Sequence, residues 1–240
     1  MRIAAGARNP LDARRLSMRI AARSHHYVMR TRLINHLGLA LPAALLLLAV
    51  GSSQAMSTKI VSGDLKALKG EKLMRVEYVY PSDLRVGKMT EKDYVAEKTR
   101  EYNEKSPGRG DQWAKAWVSE RESRFHPKFE ELVNKMFQDQ KQDLRISSTA
   151  ENTKYTMVVT LTWLEPGWHA VVMARPAFLD ATIDIVETAN RDRTVAKIAV
   201  KKSPGRGVWD VGYASEQRLG ESFAKCGKEV GNLIAKKGLK

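Results

Sequence analysis

The densest group of chemistry-bearing side chains in this 240-residue chain is the segment WLEPGWHAVVMARPA, Trp163–Ala177. It gathers Trp163, Glu165, Trp168, His169 and Arg175 around a Pro-Gly turn. Two tryptophans near a sheet end suit contact with a sugar, a peptide or a partner protein. The same two rings can instead plug the end of a hydrophobic core. A hydrolase or transferase would take its acid and base from Glu165 and His169, or from Asp180 and Asp184. The two aspartates resemble a metal pair, but strand pairing sets a lysine opposite each, which gives them an ordinary cross-strand role.

The hexapeptide KSPGRG occurs twice, at Lys105–Gly110 and Lys202–Gly207. Proline fixes φ, glycine admits positive φ, and Arg109 and Arg206 each stand between two glycines. One copy is followed by DQWAKAW and the other by VWDVGYA, which excludes a duplicated module. Both copies read as turns. The alternative is an anion site at Arg109 and Arg206, and with it a protein that binds anionic surfaces through basic loops. No P-loop lysine follows, so the nucleotide reading fails. Beyond residue 55 the histidines are His126 and His169, without metal-ligand spacing. Neither a Gly-x-Ser-x-Gly elbow nor a dinucleotide fingerprint after a strand occurs. No catalytic residue, metal or cofactor is assigned. Cys226 is the only cysteine, which excludes an internal disulfide, and it falls on the apolar stripe of a helix, the setting of an inert thiol.

The elements that must position these residues follow from periodicity. Leu73–Tyr80 alternates as a strand, with Met74, Val76, Tyr78 and Tyr80 on one face. Thr90 with Asp93 starts a helix that runs to about Glu104. Asp111 is expected to cap a second helix carrying Trp113 and Trp117, and His126-Pro127 to interrupt it. Phe129, Leu132, Val133, Met136 and Phe137 form the stripe of a third helix. Tyr155–Trp163 is a strand with Trp163 on the same face as Leu161, and His169–Ala174 a short strand or an extended edge. Phe178–Glu187 and Thr194–Lys202 pair as a hairpin. Only one register sets Ile183 against Ile198 and Ala181 against Val200 on an apolar face, with Asp184 against Lys197 and Asp180 against Lys201 on the other. Ser215–Lys236 is a long amphipathic helix with Leu219, Phe223, Cys226, Val230 and Leu233 on its stripe. The fold expected is α+β: a mainly antiparallel sheet of about four to five strands, with helices packed on one face.

Charge divides the chain unevenly. Residues 1–55 hold eight arginines against Asp12, and the remainder holds 33 Lys/Arg against 26 Asp/Glu. Mixed charge of this kind argues against nucleic acid as a partner. From Met29 the order is MRTR, the apolar run Leu37–Val50, then GSSQA. That is the pattern of a signal peptide cleaved after Ala55, and the run falls short of the ~20 residues that span a bilayer. The expected organisation is a mis-annotated or targeting extension at 1–28, a signal peptide at 29–55, a flexible leader at 56–72 and one α+β domain at 73–240. The mature chain is expected to be periplasmic or secreted, with no membrane span.

Four stretches, YTMVVTLTWLEPGW, ARPA, IVETANRDRTVAKIAV and RLGESFAKCGKEVGNLIAKK, give Phe125–Lys240 a resemblance to an uncharacterised family of small exported bacterial proteins, mainly of Bacteroidetes type. The resemblance implies export and fold, and it brings no assigned activity. Together the readings favour a non-enzymatic exported binding or accessory protein, with an envelope or secreted protein or a glycan as partner.

Overall fold

A computed structural model describes residues 55–170, 173–205 and 215–240. In chain order the strands and helices are β1 (Ser57–Gly63), a 3-10 turn at Leu65–Leu68, β2 (Leu73–Val79), β3 (Arg85–Val86), β4 (Met89–Thr90), α1 (Glu91–Lys105) and α2 (Arg109–Glu120). A π-helical turn, Arg121–Phe125, leads into α3 (His126–Asp139). Then come β5 (Arg145–Ser147), β6 (Tyr155–Glu165), β7 (Trp168–Ala170), β8 (Met173–Arg175), β9 (Ala177–Glu187), β10 (Asn190–Gly205) and α4 (Ser215–Lys237).

The class is α+β, but the sheet is not the mainly antiparallel one of four to five strands that periodicity suggests. Among the described residues it has eight strands and is mixed, ordered β1-β10-β9-β6-β2-β5, with β3 on β6 and β4 on β3. The β1, β10, β9 and β6 pairings are antiparallel, whereas β2 runs parallel to both β5 and β6. The reason is the connection. Parallel neighbours need a long crossover, and α1, α2 and α3 supply it between β2 and β5. A second sheet is the small hairpin of β7 and β8, where a short strand or an extended edge was expected.

Residues 56–72 are not a free leader. β1 pairs with β10 from Ser57 to Gly63, and the 3-10 turn buries Leu65 and Leu68 completely. The β9–β10 register is the one the apolar face selects: Ile183 meets Ile198, Ala181 meets Val200, and all four are buried. In β6 the alternation breaks. A bulge between Leu161 and Trp163 turns Trp163 away from the core face and brings Leu164 onto it.

Helices α3 and α4 cover the apolar face. Phe125 stacks on Phe223 at 5.1 Å, and Cys226, Val230 and Ile234 complete the buried stripe. The two helices approach closely because α4 carries glycine at the crossing. A Cβ at Gly227 would overlap the Phe129 carbonyl oxygen, and one at Gly231 would stand 2.9 Å from the Met136 Cβ. Helix α2 begins at Gly108, whose φ is 79°, and not at Asp111, which lies inside the first turn. His126-Pro127 does not interrupt the helical path. The π-helical turn carries it onward into α3, and the break in the regular i→i−4 ladder there accommodates Pro127.

Candidate functional site

The turn Glu165-Pro166-Gly167 joins β6 to the β7–β8 hairpin, and it is held from three sides. Gly167 has φ 66°, and a Cβ there would overlap the Arg175 carbonyl. Its N–H donates to Glu165 Oε1 at 3.2 Å. From α4, the Arg218 guanidinium donates to the Pro166 carbonyl at 3.1 Å and to the Gly167 carbonyl at 3.3 Å. Arg218 is buried, and burial lowers its pKa from the ordinary arginine value. The other Glu165 oxygen faces Arg175 Nη2 at 3.5 Å. A charged, bonded turn of this kind fixes the start of the hairpin.

On that base Trp168 stands 44 % exposed, opposite the exposed Arg175. Trp163 is elsewhere: it pairs with Asp180, its indole N–H donates to the Gly87 carbonyl at 2.9 Å, and Lys202 Nζ lies 3.7 Å from its ring centroid. The tryptophans thus divide the two sequence readings, with Trp163 packed and Trp168 presented. The His169 backbone pairs with Ala174; its side chain lies outside the described residues.

Both aspartates work within the sheet. Asp180 Oδ1 accepts the Lys202 N–H at 2.7 Å and Oδ2 meets Lys201 at 3.1 Å, fixing the bulge where Lys202 adopts φ 55°. Asp184 meets Lys197 at 3.1 Å. Among the described residues no group of three His, Cys, Asp or Glu side chains could hold a metal ion.

The hexapeptide copies do different work. In the first, Gly108 and Gly110 start α2, and Gly110 presses on the Thr99 carbonyl while its N–H donates to Asn103 Oδ1 at 2.7 Å. Arg109 lies over the Tyr102 ring at 5.4 Å. The second copy is not a turn through Gly205. It is the end of β10, with Ser203 donating to the Ser222 carbonyl at 2.9 Å and Gly205 against the α4 backbone. Arg206 lies outside the described residues.

A polar network that periodicity did not reveal joins β2 to the helices. The Tyr78 ring stacks on His126 at 3.7 Å, and the Tyr80 hydroxyl lies 3.1 Å from His126 Nε2. Arg121 covers the Tyr80 ring at 3.9 Å and pairs with Glu91 at 2.6 Å, and Trp117 Nε1–H donates to the same Glu91 oxygen at 2.7 Å. Burial, and then the Arg121 charge, hold the His126 pKa down to about 4. A neutral imidazole stacked on one tyrosine and bonded to another is a packing element. Its only sequence signal was the pair Tyr78 and Tyr80 on the face toward the helices.

No family model matches the chain, and no curated protein does. Among solved structures it is similar to the PelC dodecamer from Paraburkholderia phytofirmans, at 13% identity and a TM-score of 0.38, over 78% of this chain and 100% of that one. A variant of that dodecamer in another space group gives 12% identity and a TM-score of 0.32 over the same shares.

Proposed function

We propose that this chain is an exported, non-enzymatic accessory or binding protein of the cell envelope, and that the Trp168 hairpin meets its partner, an envelope or secreted protein or a glycan. The observation that carries the reading is the exposed indole of Trp168 on a turn locked by Arg218 and Glu165. A large aromatic ring held out on a preorganised support loses little conformational entropy on binding. The acids that a hydrolase would need are already engaged: Glu165 by Gly167 and Arg175, Asp180 by Lys201 and Lys202, Asp184 by Lys197. The export part rests on the leader sequence, with cleavage after Ala55. Among the described residues no helix is long and apolar enough to cross a membrane.

The test is affinity capture from the envelope fraction with the exported protein and its Trp168→Ala variant. The expected result is loss of the captured partner with an unchanged melting temperature. Capture that survives the substitution refutes the contact surface. N-terminal sequencing of the recovered protein is expected to begin at Met56, and an intact leader on cytosolic protein refutes export.

A further inference from the structure

Three segments meet at one end of the molecule: the stretch from the 3-10 turn into β2, the loop between α3 and β5, and the end of α4. Gly238 packs against Leu65, and Lys69 Nζ reaches the Lys240 carbonyl at 3.5 Å. The Arg145 N–H donates to the Lys72 carbonyl at 2.9 Å, and Leu239 shares a small cleft with Lys72 and Gln142. This convergence places Lys66, Lys69, Lys72, Lys141, Lys236 and Lys237 together. All six are exposed, and none has an ion pair among the described residues. Arg145 and Lys240 add to them.

Acids do not balance the group. Glu71 is taken by Lys154 at 3.2 Å, which leaves Asp64, capping the Lys66 backbone N–H at 2.9 Å, and Asp143 against eight cations. Several cations elsewhere are matched, as in Arg191 with Glu77, Arg121 with Glu91 and Lys197 with Asp184. Eight of the 33 Lys/Arg beyond residue 55 thus stand at this one end. Leu73 sits in the same patch, next to Lys72 and paired with Arg145, and is 42 % exposed.

We propose that this basic end docks on the surface of an anionic phospholipid bilayer. Lysine outnumbers arginine here, and compact ammonium groups on flexible stems suit a field of mobile headgroups, whereas a built phosphate pocket uses the arginine fork. An exposed leucine among lysines adds interfacial contact, as in other peripheral membrane surfaces. A single-stranded polyanion would look for stacking rings, and none of the residues that form the patch is aromatic. The proposal depends neither on export nor on the Trp168 contact.

The test uses the full chain with an environment-sensitive fluorophore on a cysteine introduced by Lys240→Cys. Cys226 is 1% exposed and stays unlabelled in the folded protein. Vesicles of phosphatidylglycerol in phosphatidylcholine are expected to shift the emission, vesicles of phosphatidylcholine alone are not, and high salt is expected to reverse the shift. Adding Lys66→Gln, Lys69→Gln, Lys236→Gln and Lys237→Gln should weaken the response by about 10²-fold or more, because each lysine near such a surface contributes about fivefold. All four positions are exposed, so the melting temperature should not move. No shift, an equal shift with neutral vesicles, or a shift that the four substitutions leave intact overturns the proposal. Polyphosphate binding in the absence of a vesicle response assigns the patch to a soluble polyanion and overturns it too.

Discussion

His126 ties the stability of the fold to pH in a window where few other groups titrate. In the folded chain its pKa is about 4, against an ordinary value of 6.5. Between those values the unfolded chain binds a proton that the folded chain refuses, so stability falls as pH drops from about 6.5 toward 4 and is fully present above 6.5. At pH 5 an ordinary imidazole is almost wholly protonated, whereas His126 is about one-tenth protonated, which corresponds to about 2 kcal/mol. The ring is only half-buried, and solvent screening reduces the expected loss between pH 7 and pH 5 to about 1 kcal/mol. For a chain of this size that is a fall of about 2–4 °C in melting temperature. The assay is urea unfolding at the two pH values, for the natural chain and for His126→Phe. The variant keeps a ring against Tyr78 but loses the bond to Tyr80, so it should start less stable and lose the pH dependence of this window. The comparison cancels His169 and the carboxylates. An equal slope in the variant, or a flat profile in the natural chain, refutes the argument.

Two further predictions concern packing. In an exposed helix Gly→Ala gains about 1 kcal/mol, but at Gly227 the new methyl meets the Phe129 backbone, so Gly227→Ala should lower the melting temperature by the equivalent of about 2–3 kcal/mol. Gly220→Ala is its control: the nearest atoms are the flexible Arg124 side chain at 3.2 Å, and calorimetry should show no loss. Asp180→Ala should cost about 1–2 kcal/mol in urea unfolding, because the Lys202 N–H loses its acceptor, while Asp184→Asn should cost under about 1 kcal/mol. Divalent-ion affinity that both aspartate variants abolish would contradict the cross-strand assignment.

What the sequence disclosed depended on the length and contrast of each element. The β9–β10 hairpin was legible because apolar and polar residues alternate from Leu179 to Ile185 and a slip would bury lysines. The stripe of α4 was legible for the same reason. Trp163 was placed on the wrong face because a bulge leaves no mark in a run of alternating residues. β3, β4 and β5 are two or three residues long, too short to show a period. β1 escaped notice because an edge strand buries little: its pattern is mostly exposed. The parallel pairing of β2 has no compositional signature at all. At the candidate site, the EPG turn and its tryptophans stood out, but the arginine that locks the turn comes from a helix about fifty residues away. Only the glycines at 220, 227 and 231, spaced seven and four apart, could have announced the close crossing of α3 and α4, and helix packing had to be known to interpret them.

The pairing of β1 with β10 joins Ser57 to Lys201, so the first of the described strands to leave the ribosome is among the last to find its place. Until then its open edge has no intrachain neighbour, and closing so wide a loop is slow compared with forming the helices between. A nascent chain short of β10 cannot finish this sheet, and premature termination should yield material that aggregates instead of a smaller folded product.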